Sequence, residues 1–229
     1  MKRIFLAVIV LLIISCKSEE PNFTVTGKVV GLKKGTLYLE RLKDTLLIPI
    51  DSMLVNGEPE FVLQGKVEEP EVLHISLKTT NKEPDRISFF ATEGTTKITT
   101  SLKRFSYDAN IEGSAQQKLL DNFNETVNKF NDQSLELVKA QFDYRNDSLK
   151  LDSINRLADN ILKRKYLYAI NFALTNKSSE VAPYIALSAV YDANIRYLDT
   201  IFNSLPENIA KSKYGKELEV YIQERKSQE

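Results

Sequence analysis

The sequence predicts an α+β fold, an N-terminal antiparallel β-sandwich or open barrel followed by a C-terminal helical bundle with a long αα-hairpin. Three observations point there. Gly27, Gly31, Gly35, Gly57, Gly65, Gly94 and Gly113 crowd the first half, and only Gly215 comes later. Five of the seven prolines lie between Pro21 and Pro84, and none falls between Asp85 and Ala182. Gly and Pro punctuate turns between short strands, and long helices exclude them. The apolar period also changes from two to between three and four near Gly113-Ser114.

Each element follows in order. Phe23, Val25 and Gly27 alternate with Thr24, Thr26 and Lys28, and Leu37 and Leu39 alternate with Tyr38 and Glu40. Further β-rich runs cover 46–54, 60–67, 72–77, 86–91, 95–102 and 109–111. Their spacing of about ten residues, with turn residues between, is that of a sandwich or barrel. No crossover between successive runs is long enough for a helix, which argues against parallel βαβ units. Ser114 with Gln117 has the capping-box pattern that opens a helix. Leu120, Phe123, Val127 and Phe130 continue it, with Leu137 and Val138 extending the stripe. After a break at Asn146-Asp147, a second long helix is marked by Ile154, Leu157, Ile161, Tyr168 and Phe172. Two long helices with so short a join fold back as a hairpin. Ser179-Glu180 can cap a third helix that tolerates Pro183 in its first turn, and Pro206 opens another. Gly215 is expected to interrupt the last one.

The chain has 229 residues, with Lys+Arg and Asp+Glu both totalling 31, 42% apolar and 27% charged residues. That is the composition of a folded protein, and its balanced charge gives no general attraction to polyanions. No nucleic-acid partner is expected. One Cys, one His and no Trp leave little basis for redox, zinc or haem chemistry. No metal and no cofactor are expected.

The N-terminus carries the most specific signal. Met1-Lys2-Arg3 is basic, and Ile4 to Ile14 is unbroken apolar sequence too short to span a bilayer, ahead of Ser15-Cys16. These are the parts of an export signal. Ile13-Ile14-Ser15-Cys16 resembles the lipobox of bacterial lipoproteins, in which the cysteine is diacylated through sulfur and acylated again once it is the new N-terminus. The resemblance implies a signal peptide over 1–15 and lipidation at Cys16. The expected organisation is then a lipidated tether over 16–21, a β domain over 22–113 and a helical domain over 114–229. Several acyl chains hold a protein to a membrane stably. The expected location is therefore the cell envelope, on the periplasmic or cell-surface face of the outer membrane. Lys17-Ser18-Glu19-Glu20 resembles the surface-export signal of Bacteroidetes-type lipoproteins, although Ser18 interrupts that pattern.

Phe23-Thr-Val-Thr-Gly27-Lys, Gly35-Thr-Leu-Tyr-Leu-Glu40, Glu60-Phe-Val-Leu-Gln-Gly65-Lys, Phe89-Phe90 with Glu93-Gly94, and Ile111-Glu-Gly-Ser114 carry a family likeness. They are similar to a domain of unknown function that leads many TlpA-like thiol-disulfide oxidoreductases of Bacteroidetes-type lipoproteins. Ser178-Ser179-Glu180-Val181-Ala182-Pro183-Tyr184 and Lys213-Tyr214-Gly215 look like the helical segment before their thioredoxin domain. Thiol–disulfide exchange needs an attacking thiolate and a second sulfur, and residues 17–229 contain neither. The redox activity is thus not expected to carry over.

Catalytic constellations find little support. His74 lies between Leu73 and Ile75, on the opposite face of a predicted strand, and is expected to point to solvent or the sheet rim. No Gly-x-Ser-x-Gly elbow or phosphate loop accompanies it. Eight of the ten tyrosines lie from Tyr144 onward and suit either helix packing or a partner-binding face. Lys163-Arg164-Lys165 reads as a solvated face. Asp-hydroxyl-apolar triplets recur at Asp44, Asp51, Asp147, Asp152 and Asp199. They resemble the O-glycosylation acceptor motif of exported Bacteroidetes-type proteins, which makes Thr45, Ser52, Ser148, Ser153 and Thr200 candidate acceptors. Asp-Ser and Asp-Thr equally start helices and turns. The sequence therefore favours a non-enzymatic envelope lipoprotein that binds an envelope protein or a ligand. The alternative is an accessory working in trans with a thioredoxin-like oxidoreductase.

Overall fold

The computed structural model describes residues 20–79 and 82–228. Eight strands come first: β1 (Phe23–Val30), β2 (Lys34–Lys43), β3 (Leu46–Asn56), β4 (Glu60–Gly65), β5 (Glu71–Thr79), β6 (Lys82–Ala91), β7 (Gly94–Ser101) and β8 (Asn110–Glu112). Six helices follow: α1 (Ala115–Asp143), α2 (Ser148–Thr175), α3 (Val181–Ala189), α4 (Ile195–Ser204), α5 (Glu207–Ala210) and α6 (Lys213–Gln228). The fold is α+β, and the change from strand to helix falls at Gly113-Ser114.

The strands form two four-stranded sheets, ordered β4-β1-β7-β8 and β3-β2-β5-β6. They face each other as a sandwich. The inward residues of each alternation, among them Phe23, Val25, Leu37, Leu39, Leu63, Leu73, Ile75, Phe89 and Ile98, form one buried core. β3 and β4 meet where the sheets join, and there the Asp51 carboxylate accepts hydrogen bonds from the Ser52 and Gln64 amides, both at 2.8 Å. One pairing departs from the antiparallel expectation: β1 and β7 run parallel, Phe23 opposite Gly94 through Val30 opposite Ser101. The chain traverses the whole second sheet between them, so the crossover that parallel strands need is made of strands rather than a helix.

The second sheet has a further cover. Val72 of β5 and Phe90 of β6 point away from the sandwich into a second core, with Leu120, Phe123, Ala169, Ile185, Leu218 and Tyr214 of the helices. β5 and β6 are thus apolar on both faces at this end. α1 and α2 form the expected hairpin, each about 43 Å long at 1.5 Å per residue. Their sheet-proximal half carries most of the packing, and near the turn Ile154 is buried between them. Towards the turn Leu135, Val138, Phe142 and Leu149 are exposed, the last 82% so. Val138 and Leu157 therefore do not extend the buried stripes as their spacing suggests, because no third element lies beside that half of the hairpin.

Two local expectations are corrected. Ser114 caps α1, its Oγ accepting from the Gln117 amide at 3.1 Å, but the Gln117 side chain does not close the capping box. It is buried instead, accepting from the Phe90 amide at 2.7 Å and donating to Asp121 at 2.6 Å. Edge strand β6 presents an unpaired amide at that point, and a buried amide without a partner costs more than an open cap. Gly215 does not interrupt α6. It is the third residue of the helix, and a Cβ there would stand 2.2 Å from the Ile209 carbonyl oxygen and 2.5 Å from that of Ala210. Close approach of α5 demands the glycine.

Candidate functional site

Two concavities carry candidate binding chemistry. The first lies between α2 and the α3–α4 connection. On α2, Leu162, Tyr166 and Ile170 recur every four residues and share one face, with Lys163 and Leu167 beside them. Asp192, Ala193 and Asn194 from the connection and Tyr197 from α4 form the opposite wall, enclosing about 450 Å³. The wall is held from behind. Arg225 donates to the carbonyls of Tyr191 and Ala193 at 2.8 and 2.9 Å, and the Tyr221 hydroxyl donates to Tyr191 at 2.9 Å. Asn194 caps α4 by accepting from the Arg196 amide at 3.0 Å. Within the groove the Tyr166 hydroxyl donates to Asp192 at 2.5 Å. That bond, with the charge of Asp192, pushes the phenol up to about 12. Leu162, Leu167 and Tyr197 remain about half exposed, at 52%, 51% and 45%.

The second is a cleft of about 430 Å³ between the second sheet and helices α3 and α6. Leu42 and Asp44, at the β2–β3 hairpin, overhang one side; Asp44 takes a left-handed backbone conformation, φ 55°, in that turn. Val72 and His74 of β5 form the floor, and Tyr184, Leu187, Tyr214 and Glu217 the helical wall. His74 is half-buried here, its Nδ1 3.0 Å from the Ser88 hydroxyl. Its predicted face was right, but that face is roofed by helices rather than open to solvent. Desolvation first, then the charge of Arg86, lowers its pKa, while Glu40 pulls the other way. Tyr184 and Tyr214 stand 5.1 Å apart between ring centroids, and both contact Phe90 edge-on. Burial raises the Glu217 carboxyl above its ordinary range, Lys213 opposes the shift, and Glu71 and Glu69 add to it.

A charged network borders the cleft at Lys213. Glu71, only 5% exposed, accepts from Arg41 and from the Lys213 ammonium, each at 2.7 Å. Glu69 accepts from the Lys213 amide at 2.6 Å. Arg41 and Lys213 are thereby both paired with Glu71. Among the described residues no group of three His, Cys, Asp or Glu is placed to hold a metal.

The residues singled out by sequence fall as follows. Cys16 and the expected signal peptide over 1–15 lie outside the described residues. Thr45, Ser52, Ser148, Ser153 and Thr200 are all exposed and are scattered rather than brought together. Asp147 caps α2, accepting from the Lys150 amide at 3.1 Å, so that triplet also has a structural role. The hydroxyls of Ser153 and Thr200 bond back to carbonyls one helical turn earlier. The tyrosines divide: Tyr168, Tyr184 and Tyr214 pack in aromatic clusters, while Tyr144, Tyr191 and Tyr197 are exposed. In the basic run, Lys165 bonds Asn131 at 2.9 Å, Arg164 lies over Phe130 and Lys163 lines the groove. The groove itself was missed, although Leu162, Tyr166 and Ile170 form a second apolar stripe on α2 that signals a second neighbour.

Among the described residues no helix is long and apolar enough to cross a membrane. No curated protein matches the chain. Residues 23–120, the whole sandwich with the first turns of α1, match the family model of a domain of unknown function, DUF4369.

Proposed function

We propose that the protein is a binding module of the cell envelope, held at the membrane by lipid on Cys16 and acting by docking rather than by catalysis. Its partner is a protein that presents a short apolar helical segment to the groove between α2 and α4. One observation carries this reading. The groove leaves Leu162, Leu167 and Tyr197 half exposed around a preformed cavity, with Lys163, Asp192 and Asn194 at its rim. Apolar walls with a few polar groups that fix orientation suit a helix-in-groove partner, and exposed Tyr is the residue type that partner surfaces favour.

The test is site-specific photocrosslinking in native envelopes, with the crosslinker at position 167 or 197 and a control at exposed Val62. The expected result is one discrete adduct from both groove positions, absent from the control and lost in Leu162→Asp. Labelling equal to the control would defeat the docking reading. A Cys16→Ala chain that still fractionates with envelopes would defeat the anchor.

A further inference from the structure

The cleft over His74 has a different chemistry from the groove. Its wall offers two tyrosine rings, and its rim carries two carboxylates, Asp44 and Glu217, the second with the Lys213 charge nearby. The cation already lining it, Lys213, is engaged by Glu71 at 2.7 Å and leans over the Tyr214 ring at 5.5 Å. One ring of the cleft therefore already accommodates an ammonium. Electron-rich ring faces attract cations, most strongly where water is displaced. The carboxylates supply the counter-charge, and Leu187 supplies apolar surface for a body attached to the charge. At about 430 Å³ the space is that of a small-molecule site.

We propose that this cleft binds a small organic cation, an ammonium group directed to Glu217 and the Tyr184 ring with its apolar body against Leu187. The site is independent of the groove and does not depend on the docking reading. Selectivity follows from the parts: an anion meets two carboxylates, and a neutral molecule leaves them without the ion pair that distinguishes the site.

His74 is the only histidine of the chain and stands on the floor of the cleft, so its imidazole resonances report occupancy of this site and no other. The protein, in nanodiscs of zwitterionic lipid, is titrated with 4-phenylbutylammonium and with 4-phenylbutanol, its neutral twin, while the His74 resonances are followed. The amine should shift them saturably and bind at least tenfold more tightly than the alcohol, and Glu217→Gln should erase that preference. Equal binding of amine and alcohol overturns the proposal, as does a Glu217→Gln chain that retains the preference. Heat of binding with unmoved His74 resonances also overturns it, because the amine is then elsewhere. N-acetyl-lysine-N-methylamide is the third arm. If it matches the free amine, the recognised group is a lysine of a protein and the small-molecule assignment falls.

Discussion

Phe90 is the side chain on which the two halves of the molecule are joined, and its truncation gives the sharpest test of the architecture. It sits on β6 with no exposed surface, yet it faces the helices rather than the sandwich. Burying a phenyl ring contributes about 2–3 kcal/mol. Its edge contacts with Tyr184 at 5.4 Å and Tyr214 at 5.9 Å contribute about 1 kcal/mol each. Phe90→Ala should therefore remove about 4 kcal/mol, inside the range of about 3–5 kcal/mol for such truncations. The assay is urea unfolding followed by helical circular dichroism at 222 nm. With a slope of about 2 kcal/mol per molar urea, the midpoint should fall by about 2 M. Val62→Ala, on an exposed strand position, should change stability by less than about 0.5 kcal/mol. A Phe90→Ala loss below about 1 kcal/mol would refute the reasoning, since it would mean that the helices do not rest on this ring.

Two further perturbations test local arguments. Gly215→Ala would stabilise an ordinary helix interior by up to about 1 kcal/mol. Here the added methyl meets the carbonyls of Ile209 and Ala210, so the sign should reverse to a loss of about 2 kcal/mol; a raised unfolding midpoint would show that α5 does not approach as described. His74 is lowered by burial and by Arg86 of β6, with Glu40 of β2 opposing and Asp44, Tyr184, Lys213, Tyr214 and Glu217 completing its surroundings. Its unfolded form holds a proton more readily, so its contribution is fully present above about pH 6.5 and is lost as pH falls through the folded value. Stability measured from pH 8 to 5 should fall less steeply in His74→Gln, and an unchanged slope would exclude a roofed imidazole.

The strands were legible because their chemistry is local. Phe23, Val25 and Leu37, Leu39 alternate with polar neighbours, and glycine and proline mark the gaps between runs, so period and punctuation agree. The helical hairpin was legible for the same reason. What escaped was every feature set by residues distant in sequence. His74 was placed on the correct face, but its cover comes from Tyr184, Leu187 and Tyr214, more than a hundred residues away. Gln117 fits a local capping rule, and a buried amide on another element claims it. Gly215 reads as a helix breaker until α5 is laid against it. Leu157 and Val138 have the spacing of buried residues, and their exposure depends on where the neighbouring helices end, which no local period records.

The bonds across the seam brace the cleft over His74. The Val72 amide donates to the Tyr214 hydroxyl at 2.7 Å, the Phe90 amide to Gln117 at 2.7 Å, and Lys213 binds Glu69 and Glu71 through its amide and its ammonium. These bonds fix the first turns of α1 and α6 to β5, β6 and the loop that leads into β5. The cleft over His74 takes its floor from β5 and one wall from α6, so these parts are preorganised and a ligand spends little on ordering them. The groove between α2 and α4 is secured through Arg225 and Tyr221 against the α3–α4 connection, and the Tyr166 hydroxyl ties its two walls together at Asp192. Its other wall, Leu162 to Ile170, belongs to the half of α2 that packs into the helical core through Ala169 and Ile170. The two differ in lining: carboxylates beside tyrosine suit a small cation, whereas Leu162, Leu167 and Tyr197 present a longer apolar face that suits a peptide segment. That difference in lining, rather than the similar volumes, is the physical ground for assigning the two sites different occupants.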